Sequence, residues 1–167
     1  MTHFGHPRRH FRVTDSTNER ARALALEGAP AGTVVTAEEQ TSGRGRRGRP
    51  WAAPAGKALL YSAILRPLGL EHALLPLAVP LAVCEAVESV AALECRVKWP
   101  NDVWIEESKA AGVLIEAHPP DWAVIGIGLN LAIEAAEFPS DLRWQATSVG
   151  QGVTGPAARP PTARASR

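Results

Sequence analysis

The sequence predicts an α+β fold, in which a mixed, largely antiparallel sheet has its helices packed on one face. Helix and strand patterns are interleaved in the first half of the chain, and a run of closely spaced strands follows, whereas a parallel sheet needs a regular alternation of strand and helix. A hydrophobic content of 46% in 167 residues is enough for one substantial core and too little for two. We therefore expect a single domain, over residues 12–149.

The first helix is predicted to begin at Ser16. Glu19 follows three residues later, which is the spacing of a capping box, and Gly28 with Pro30 ends the apolar stripe. A second helix is expected across about 74–92, where Pro80 implies a kink or a later start. Strands are predicted at 33–37, 58–65, 96–99, 103–105, 111–117 and 123–131.

The two ends of the chain differ in composition from the middle. Residues 1–11 have no periodicity, so we predict a flexible arm there. Residues 150–167 are rich in Pro, Gly, Ala and Arg and have no acidic residue, which is typical of a disordered tail.

The composition predicts a cytoplasmic protein without disulfides. The chain does not open with the apolar stretch of a secretory signal, and two cysteines, Cys84 and Cys95, do not make a disulfide framework. The richest apolar run, 73–83, is interrupted by Pro76 and Pro80. We therefore expect no membrane span.

Residues 43–49 (GRGRRGR) form a loop with an unusual density of glycine and arginine. Glycines allow a close approach of the backbone to a ligand, and amide and guanidinium groups donate hydrogen bonds to phosphate oxygens. On composition alone, a phosphate site competes about evenly with a solvated basic loop, a nucleic-acid patch and an RNA-binding arginine-glycine tract.

Three further features place polar or glycine residues beside predicted strands. The turn 98–102 (KWPND) ends in an Asn-Asp pair, which taken alone would hydrogen-bond its own turn. Lys109 stands at the start of a strand, where a lone lysine is usually solvated. Gly126 and Gly128 inside a strand indicate either a close ligand approach or a bulge. Their combination with the basic loop favours a ligand site.

Together these segments resemble the biotin protein ligase family, within the biotin/lipoate ligase superfamily. The resemblance covers residues 12–149 and has six landmarks in the family's order: Ser-Thr-Asn at 16–18, Gln40, the 43–49 loop with Trp51 after it, Lys-Trp-Pro-Asn-Asp at 98–102, the strand from Lys109 to Glu116, and Gly-x-Gly-x-Asn at 126–130. It implies the catalytic-domain fold that resembles class II aminoacyl-tRNA synthetases. Lipoate ligases and octanoyl transferases share the architecture and the lysine, but the arginine loop and the Trp-Pro-Asn-Asp turn favour biotin.

The resemblance also implies roles for individual residues. Biotin would contact Ser16, Thr17, Asn18, Gln40, Gly43, Arg44, Gly45, Lys109, Gly112 and Gly126. The nucleotide would contact Arg46, Arg47, Arg49, Trp51, Asn101, Asp102 and Asn130. Lys109 and Arg46 would be catalytic, and Asp102 would help to bind Mg²⁺.

The activity implied by the resemblance is ATP-dependent ligation of biotin, through biotinyl-5'-AMP, to a lysine of a biotin carboxyl carrier domain. ATP and Mg²⁺ are then required, the carrier domain of a carboxylase is the partner, and a homodimer is left open. We expect neither the winged-helix domain nor the C-terminal β-barrel domain of the family, hence no DNA operator. The alternatives are a catalytically impaired biotin-binding homologue, a lipoate ligase relative and a nucleic-acid-binding module.

Overall fold

The computed structural model describes residues 4–154, which form one sheet with helices against it. The strands are β1 (Arg8–Thr14), β2 (Val34–Gln40), β3 (Ala58–Leu65), β4 (Cys95–Lys98), β5 (Asp102–Ile105), β6 (Ser108–His118) and β7 (Trp122–Asn130). The α-helices are α1 (Thr17–Leu26), α2 (Leu75–Val90) and α3 (Val149–Thr154), and 3₁₀ turns occur at Arg46–Gly48, Leu70–Leu74 and Ala135–Glu137.

The sheet has seven strands in the order β1-β2-β3-β7-β6-β5-β4. The pair β1 and β2 is parallel, and the other neighbouring pairs are antiparallel. The predicted α+β class with a mixed, largely antiparallel sheet is therefore confirmed. The strands β3, β7 and β6 lie at the centre and β1 and β4 at the edges, so glycines 112, 126 and 128 are all placed in the middle of the sheet.

Helices α1 and α2 lie on opposite faces of the sheet, so the prediction that the helices share one face is wrong. Side chains alternate between the two faces along a strand. On β7, Val124 packs in the cluster with α1, and Leu129, an odd number of residues further on, packs in the cluster with α2. Helix α1 packs on β2, β3 and β7, and α2 packs on β4, β5 and β6, so the two helices cover different parts of the sheet.

Helix α1 begins where we predicted it, but without the expected capping box. Ser16 occupies the N-cap position and makes no side-chain cap hydrogen bond. Its backbone N–H instead donates to the Asp15 carboxylate at 2.6 Å, and Glu19 pairs with Arg44. The side chains at the start of α1 are therefore available to the face of the sheet below them.

Residues 8–11 and 150–154, which the composition predicts to be disordered, form regular secondary structure. Arg8–Thr14 is strand β1, so the predicted flexible arm over residues 1–11 is wrong from Arg8 onward, because pairing with β2 satisfies its backbone. Val149–Thr154 is helix α3, so the predicted tail is wrong over residues 150–154; buried Gly152 fits closely against Leu93 there. Residues 1–3 and 155–167 of the predicted arm and tail lie outside the described residues.

Helix α2 is more continuous than its prolines suggested. It begins at Leu75 and contains Pro80, and Pro76 sits in its first turn, where a missing N–H costs nothing. Together with the preceding 3₁₀ turn it gives a helical stretch, Leu70–Val90, that is long and apolar enough to cross a membrane by length and composition, with mean hydropathy 1.7. Its buried side chains pack against β5 and β6, but only 28% of this apolar stretch is buried, and Leu70, Leu74 and Leu77 are exposed.

Candidate active site

A cavity of about 400 Å³ opens on the α1 face of the sheet. Its walls are the N-terminal end of α1, the loop 43–52, the middle of β6 and β7, and the segment 138–146 that follows β7. This volume is within the range of small-molecule sites, about 300–1,000 Å³. The centre of the sheet, the start of α1 and two irregular segments thus meet at one place.

Buried polar side chains at the start of α1 form a hydrogen-bonded group. The Ser62 Oγ on β3 lies 2.8 Å from Thr17 Oγ1 and 2.7 Å from Asn18 Oδ1. Gln40 Oε1 accepts hydrogen bonds from the Thr17 backbone N–H at 2.7 Å and from the Thr17 hydroxyl at 3.0 Å. Because these groups are mutually satisfied away from water, they hold fixed orientations at the cavity wall.

Glycines in β6 and β7 make room for the side chains that form the cavity. A Cβ at Gly126 would lie 2.0 Å from Asn18 Oδ1. Gly112 and Gly128 are register partners, and a Cβ on them would come within 3.1 and 2.4 Å of the Trp51 ring. The Trp51 indole therefore lies on a floor that two paired glycines create, and this explains the strand glycines better than a bulge does.

The glycine- and arginine-rich loop is a closed hairpin. Gly45 N–H donates to the Arg49 carbonyl at 2.7 Å, and Trp51 N–H donates to the Gly43 carbonyl at 2.8 Å. A Cβ at Gly43 would lie 2.4 Å from the Trp51 carbonyl oxygen, so this closure requires glycine. Arg47 is exposed at the tip, in the left-handed region with φ 58°.

Two guanidinium groups fasten this hairpin to the rest of the site. Arg44 pairs with Glu19 on α1 and lies 3.6 Å from Glu116 on β6. Arg46 Nη1 donates to Asn101 Oδ1 at 3.4 Å, which joins the hairpin to the turn between β4 and β5. The loop consequently lies over the cavity instead of extending into solvent.

Lys109 reaches the cavity through a β-bulge. Asp102 pairs with Gly112 in the ladder, but Trp104 pairs with Lys109, so Ala110 is the extra residue. The bulge places Lys109 on the same face as Gly112, and its Nζ lies 2.8 Å from Asp102 Oδ1. Both side chains are largely buried, 24% and 13% exposed, so this ion pair is shielded from solvent.

The segment 138–146 forms a wall that we did not predict. Its Gln145 carbonyl accepts from the Lys109 backbone N–H at 2.8 Å, and Trp144 lies with its ring centroid 3.7 Å from Lys98 Nζ and 6.0 Å from that of Trp104. The segment contributes Phe138, Pro139, Asp141, Leu142, Arg143, Trp144 and Ala146 to the cavity. The sequence feature that could have indicated this wall is the presence of two aromatic residues, Phe138 and Trp144, in a polar stretch without periodicity.

The predicted residues converge on this cavity with three exceptions. The cavity is lined by Ser16, Thr17, Asn18, Gln40, Arg44, Gly45, Arg46, Arg49, Trp51, Asn101, Lys109, Gly112, Gly126 and Asn130. Gly43 shapes the loop, Arg47 is exposed at its tip, and Asp102 meets the cavity through Lys109. Buried Ser62 and the cavity residue Tyr61, whose pKa burial raises, were not predicted.

The electrostatics of the cavity suit two anions that must be brought together. Lys109, Arg46 and Arg49 line one connected space with the neutral donors and acceptors of α1. The Trp51 indole N–H is buried without a hydrogen-bond partner in residues 4–154. Those residues hold no cluster of three or more His, Cys, Asp or Glu side chains for a metal ion. Such a site can neutralise charge transferred between two bound anions.

Known proteins are similar to this chain in sequence and in fold. The model of the biotin/lipoate A/B protein ligase family matches residues 10–130. The bifunctional ligase/repressor BirA of Bacillus spizizenii is 38% identical over 145 residues, which are 83% of this chain and 45% of that protein. The biotin–acetyl-CoA-carboxylase ligase of Paracoccus denitrificans is 43% identical over 127 residues, 71% of this chain and 52% of that protein.

A solved structure extends this similarity to three dimensions. The biotin protein ligase from Aquifex aeolicus in complex with biotin and ATP has a TM-score of 0.74 and 34% identity, and the match covers 89% of this chain and 61% of that one. The chain spans about half the length of the two relatives named here.

Proposed function

We propose that this chain, which belongs to the biotin/lipoate A/B protein ligase family, activates biotin with ATP as biotinyl-5'-AMP and transfers the biotinyl group to a lysine of a biotin carboxyl carrier domain. The observation that carries the proposal is the place of Lys109. Lys109 lines the same cavity as the polar group at the start of α1 and the arginine hairpin, and its Nζ lies 2.8 Å from Asp102 Oδ1. At this point one cation can contact both a carboxylate and a phosphate.

The α1 side of the cavity suits the bicyclic ring of biotin. A ureido group has one carbonyl and two N–H groups, which need matched donors and acceptors in a pocket that excludes water. Ser16, Thr17, Asn18 and Gln40 supply such groups in fixed orientations. Leu60, Leu114 and Ile127 also line the cavity and offer apolar surface to the rest of the molecule.

The hairpin side of the cavity suits the nucleotide. Arg46 and Arg49 present guanidinium groups to phosphate oxygens, and Asn101 and Asn130 present amides. Trp51 and Trp144 provide aromatic surface at the two walls. We propose that Mg²⁺ enters with ATP as part of the substrate. Magnesium binds mainly phosphate oxygens and water and needs few protein ligands.

The first chemical step joins two anions, so positioning and charge neutralisation dominate it. A biotin carboxylate oxygen attacks the α-phosphorus, a new phosphorus–oxygen bond forms, and the bond to pyrophosphate breaks. Lys109 faces both reacting groups, where it offsets the carboxylate charge and then the charge on the α-phosphate oxygens. Deleting one such contact typically costs on the order of 10² to 10³ in rate.

The second step transfers the biotinyl group to the acceptor. The neutral amine of the acceptor lysine attacks the carbonyl carbon of biotinyl-5'-AMP, the amine loses a proton, and AMP leaves. Asp102, which pairs with Lys109, would hold that ammonium in position during this step. The hairpin lies over the cavity and shields the reactive anhydride from water until the acceptor arrives.

The acceptor and the compartment follow from this activity. The name of the Paracoccus denitrificans relative gives acetyl-CoA carboxylase as its substrate, so we propose the carrier domain of a carboxylase as the acceptor and the cytoplasm as the site of action. Nucleic-acid binding by the arginine loop is not favoured, because Arg44 and Arg46 are bonded to side chains of the site.

The direct test is incubation with biotin, Mg-ATP and a biotin carboxyl carrier domain, followed by mass measurement of the carrier. We expect one biotinyl group per carrier, none when ATP is omitted, and none on a carrier whose acceptor lysine is replaced by arginine. Lipoate in place of biotin separates the two substrate classes of the family. A carrier of unchanged mass, together with no biotin-dependent pyrophosphate release, would refute the proposal.

A further inference from the structure

Glu116 lies behind the wall of the cavity, on β6, and does not itself line the cavity. It pairs in the ladder with Val124, which packs against α1, so its side chain points to the same face as the site. Its carboxylate is about one third exposed. Nothing in the activity described above uses this residue.

We infer that Glu116 is a positioning residue for biotin, because its carboxylate holds Asn18 of α1 and Arg44 of the hairpin in place together. One oxygen, Oε2, accepts a hydrogen bond from Asn18 Nδ2 at 2.8 Å. The other, Oε1, lies 3.6 Å from Arg44 Nη2. The inference rests on the proposed function.

The contact with Asn18 fixes which way its amide points. A carboxylate accepts hydrogen bonds and does not donate them, so the NH₂ group must face Glu116. The amide oxygen then faces the Ser62 hydroxyl at 2.7 Å. Asn18 is 4% exposed, and without Glu116 its NH₂ group would be buried with no acceptor at this position. Glu116 therefore determines the donor and acceptor pattern that Asn18 shows to a ligand.

The contact with Arg44 acts on the hairpin. Arg44 is shared between Glu19 on α1 and Glu116 on β6, so the two acids hold the first arginine of the hairpin from both sides. The nucleotide side of the hairpin is held separately, through Arg46 and Asn101. Loss of Glu116 should therefore weaken the binding of biotin and leave the binding of ATP nearly unchanged.

The test compares four variants. Glu116→Ala removes both contacts. Glu116→Gln keeps an acceptor for Asn18 and removes the charge facing Arg44. Glu19→Gln weakens the Arg44 contact and an exposed pair with Arg22 at 3.5 Å, and it leaves the contact between Asn18 and Glu116 in place. Glu107→Gln is the matched control, because it removes an exposed Glu–Arg pair, with Arg96 at 3.0 Å, that lies outside the cavity.

Biotin KM, ATP KM, kcat and biotin affinity by calorimetry are measured for each. We expect Glu116→Ala to raise biotin KM and Kd about tenfold or more, the loss of hydrogen bonds to a charged group, with kcat and ATP KM within about twofold. Glu116→Gln and Glu19→Gln each raise biotin KM about two- to threefold, as for partly exposed ion pairs. Glu107→Gln leaves all values unchanged.

A biotin KM for Glu116→Ala equal to that of the parent would overturn the inference. A fall of kcat and Tm together with a rise of both KM values would also overturn it, because that pattern indicates general damage to the fold. Side-chain amide resonances of Asn18 in ligand-free, ¹⁵N-labelled protein give a second readout. We expect them to shift in Glu116→Ala and not in Glu107→Gln. Unshifted Asn18 resonances in Glu116→Ala would refute the contact between Glu116 and Asn18, whatever the activity of the variant. A parent that neither binds biotin nor releases pyrophosphate refutes the proposed function instead.

Discussion

Replacement of Gly126 by alanine is the sharpest perturbation of the site, because the added methyl group would collide with a single, identified side chain. Its three nearest atoms all belong to Asn18, at 2.0, 2.8 and 3.0 Å. Asn18 must move, which breaks its hydrogen bonds to Ser62 and Glu116. At about 1 kcal/mol for each hydrogen bond and about 1–3 kcal/mol for overpacking, less about 0.5–1 kcal/mol for replacing glycine, the expected loss of stability is about 2–4 kcal/mol.

The free energy of unfolding in urea is measured for Gly126→Ala, Asn18→Ala and the double variant. Asn18→Ala should cost about 1–2 kcal/mol for its two hydrogen bonds. Because Asn18→Ala also removes the collision, the double variant should be about 0.5–1 kcal/mol more stable than Asn18→Ala, the gain from replacing glycine, which is strongly non-additive. Gly45→Ala, whose Cβ would have its nearest neighbour at 3.4 Å, is the control and should change stability little. If the stability losses of the two single variants add in the double variant, Gly126 does not provide the space that Asn18 occupies.

Three further predictions concern the hairpin, the wall segment and the thiols. Arg46→Gly removes the link to Asn101, so biotinyl-5'-AMP should escape and label lysines of a bystander protein; labelling as selective as the parent's contradicts this. Trp144→Ala should raise ATP KM about tenfold, the loss of one stacking surface, and biotin KM less than twofold; the reverse order contradicts it. Burial raises the pKa of Cys95 to about 12, so in the folded state it resists thiol reagents at pH 8 and reacts on unfolding, as seen with Ellman's reagent. Keeping this thiol neutral stabilises the folded state fully below the pKa of the unfolded thiol, about 8.5, and this contribution is lost as the pH rises through 12. Equal labelling of the folded and the unfolded protein at pH 8 contradicts the prediction for Cys95.

The sequence predicted those parts of the structure that depend on local patterns. The apolar content of residues 58–65 indicated β3 with its observed bounds, and turn residues separated β4 from β5. The site could be predicted because its residues are concentrated in short motifs beside strands. Once the 43–49 loop, the 98–102 turn and Lys109 were attributed to one ligand, their convergence followed.

What the sequence did not predict depends on contacts between distant residues. The faces covered by α1 and α2 follow from strand register, which residue types do not reveal in a sheet buried on both sides. The capping box failed because Glu19 pairs with Arg44 instead of the helix start. Ser62 and Glu116 look like an ordinary polar residue in a strand and an ordinary acid near a strand end. Their importance appears only when α1 is placed against β3 and β6.

The most direct test of the account is the exchange of labelled pyrophosphate into ATP in the presence of biotin, because it measures the first chemical step without an acceptor. We predict exchange that depends on biotin in the parent, a loss on the order of 10² to 10³ in Lys109→Ala, and a rate within about twofold of the parent in Lys57→Ala, whose ammonium pairs with Glu137 outside the cavity. Exchange by Lys109→Ala near the parent rate would contradict the central claim that this ammonium neutralises the biotin carboxylate and the α-phosphate as they react.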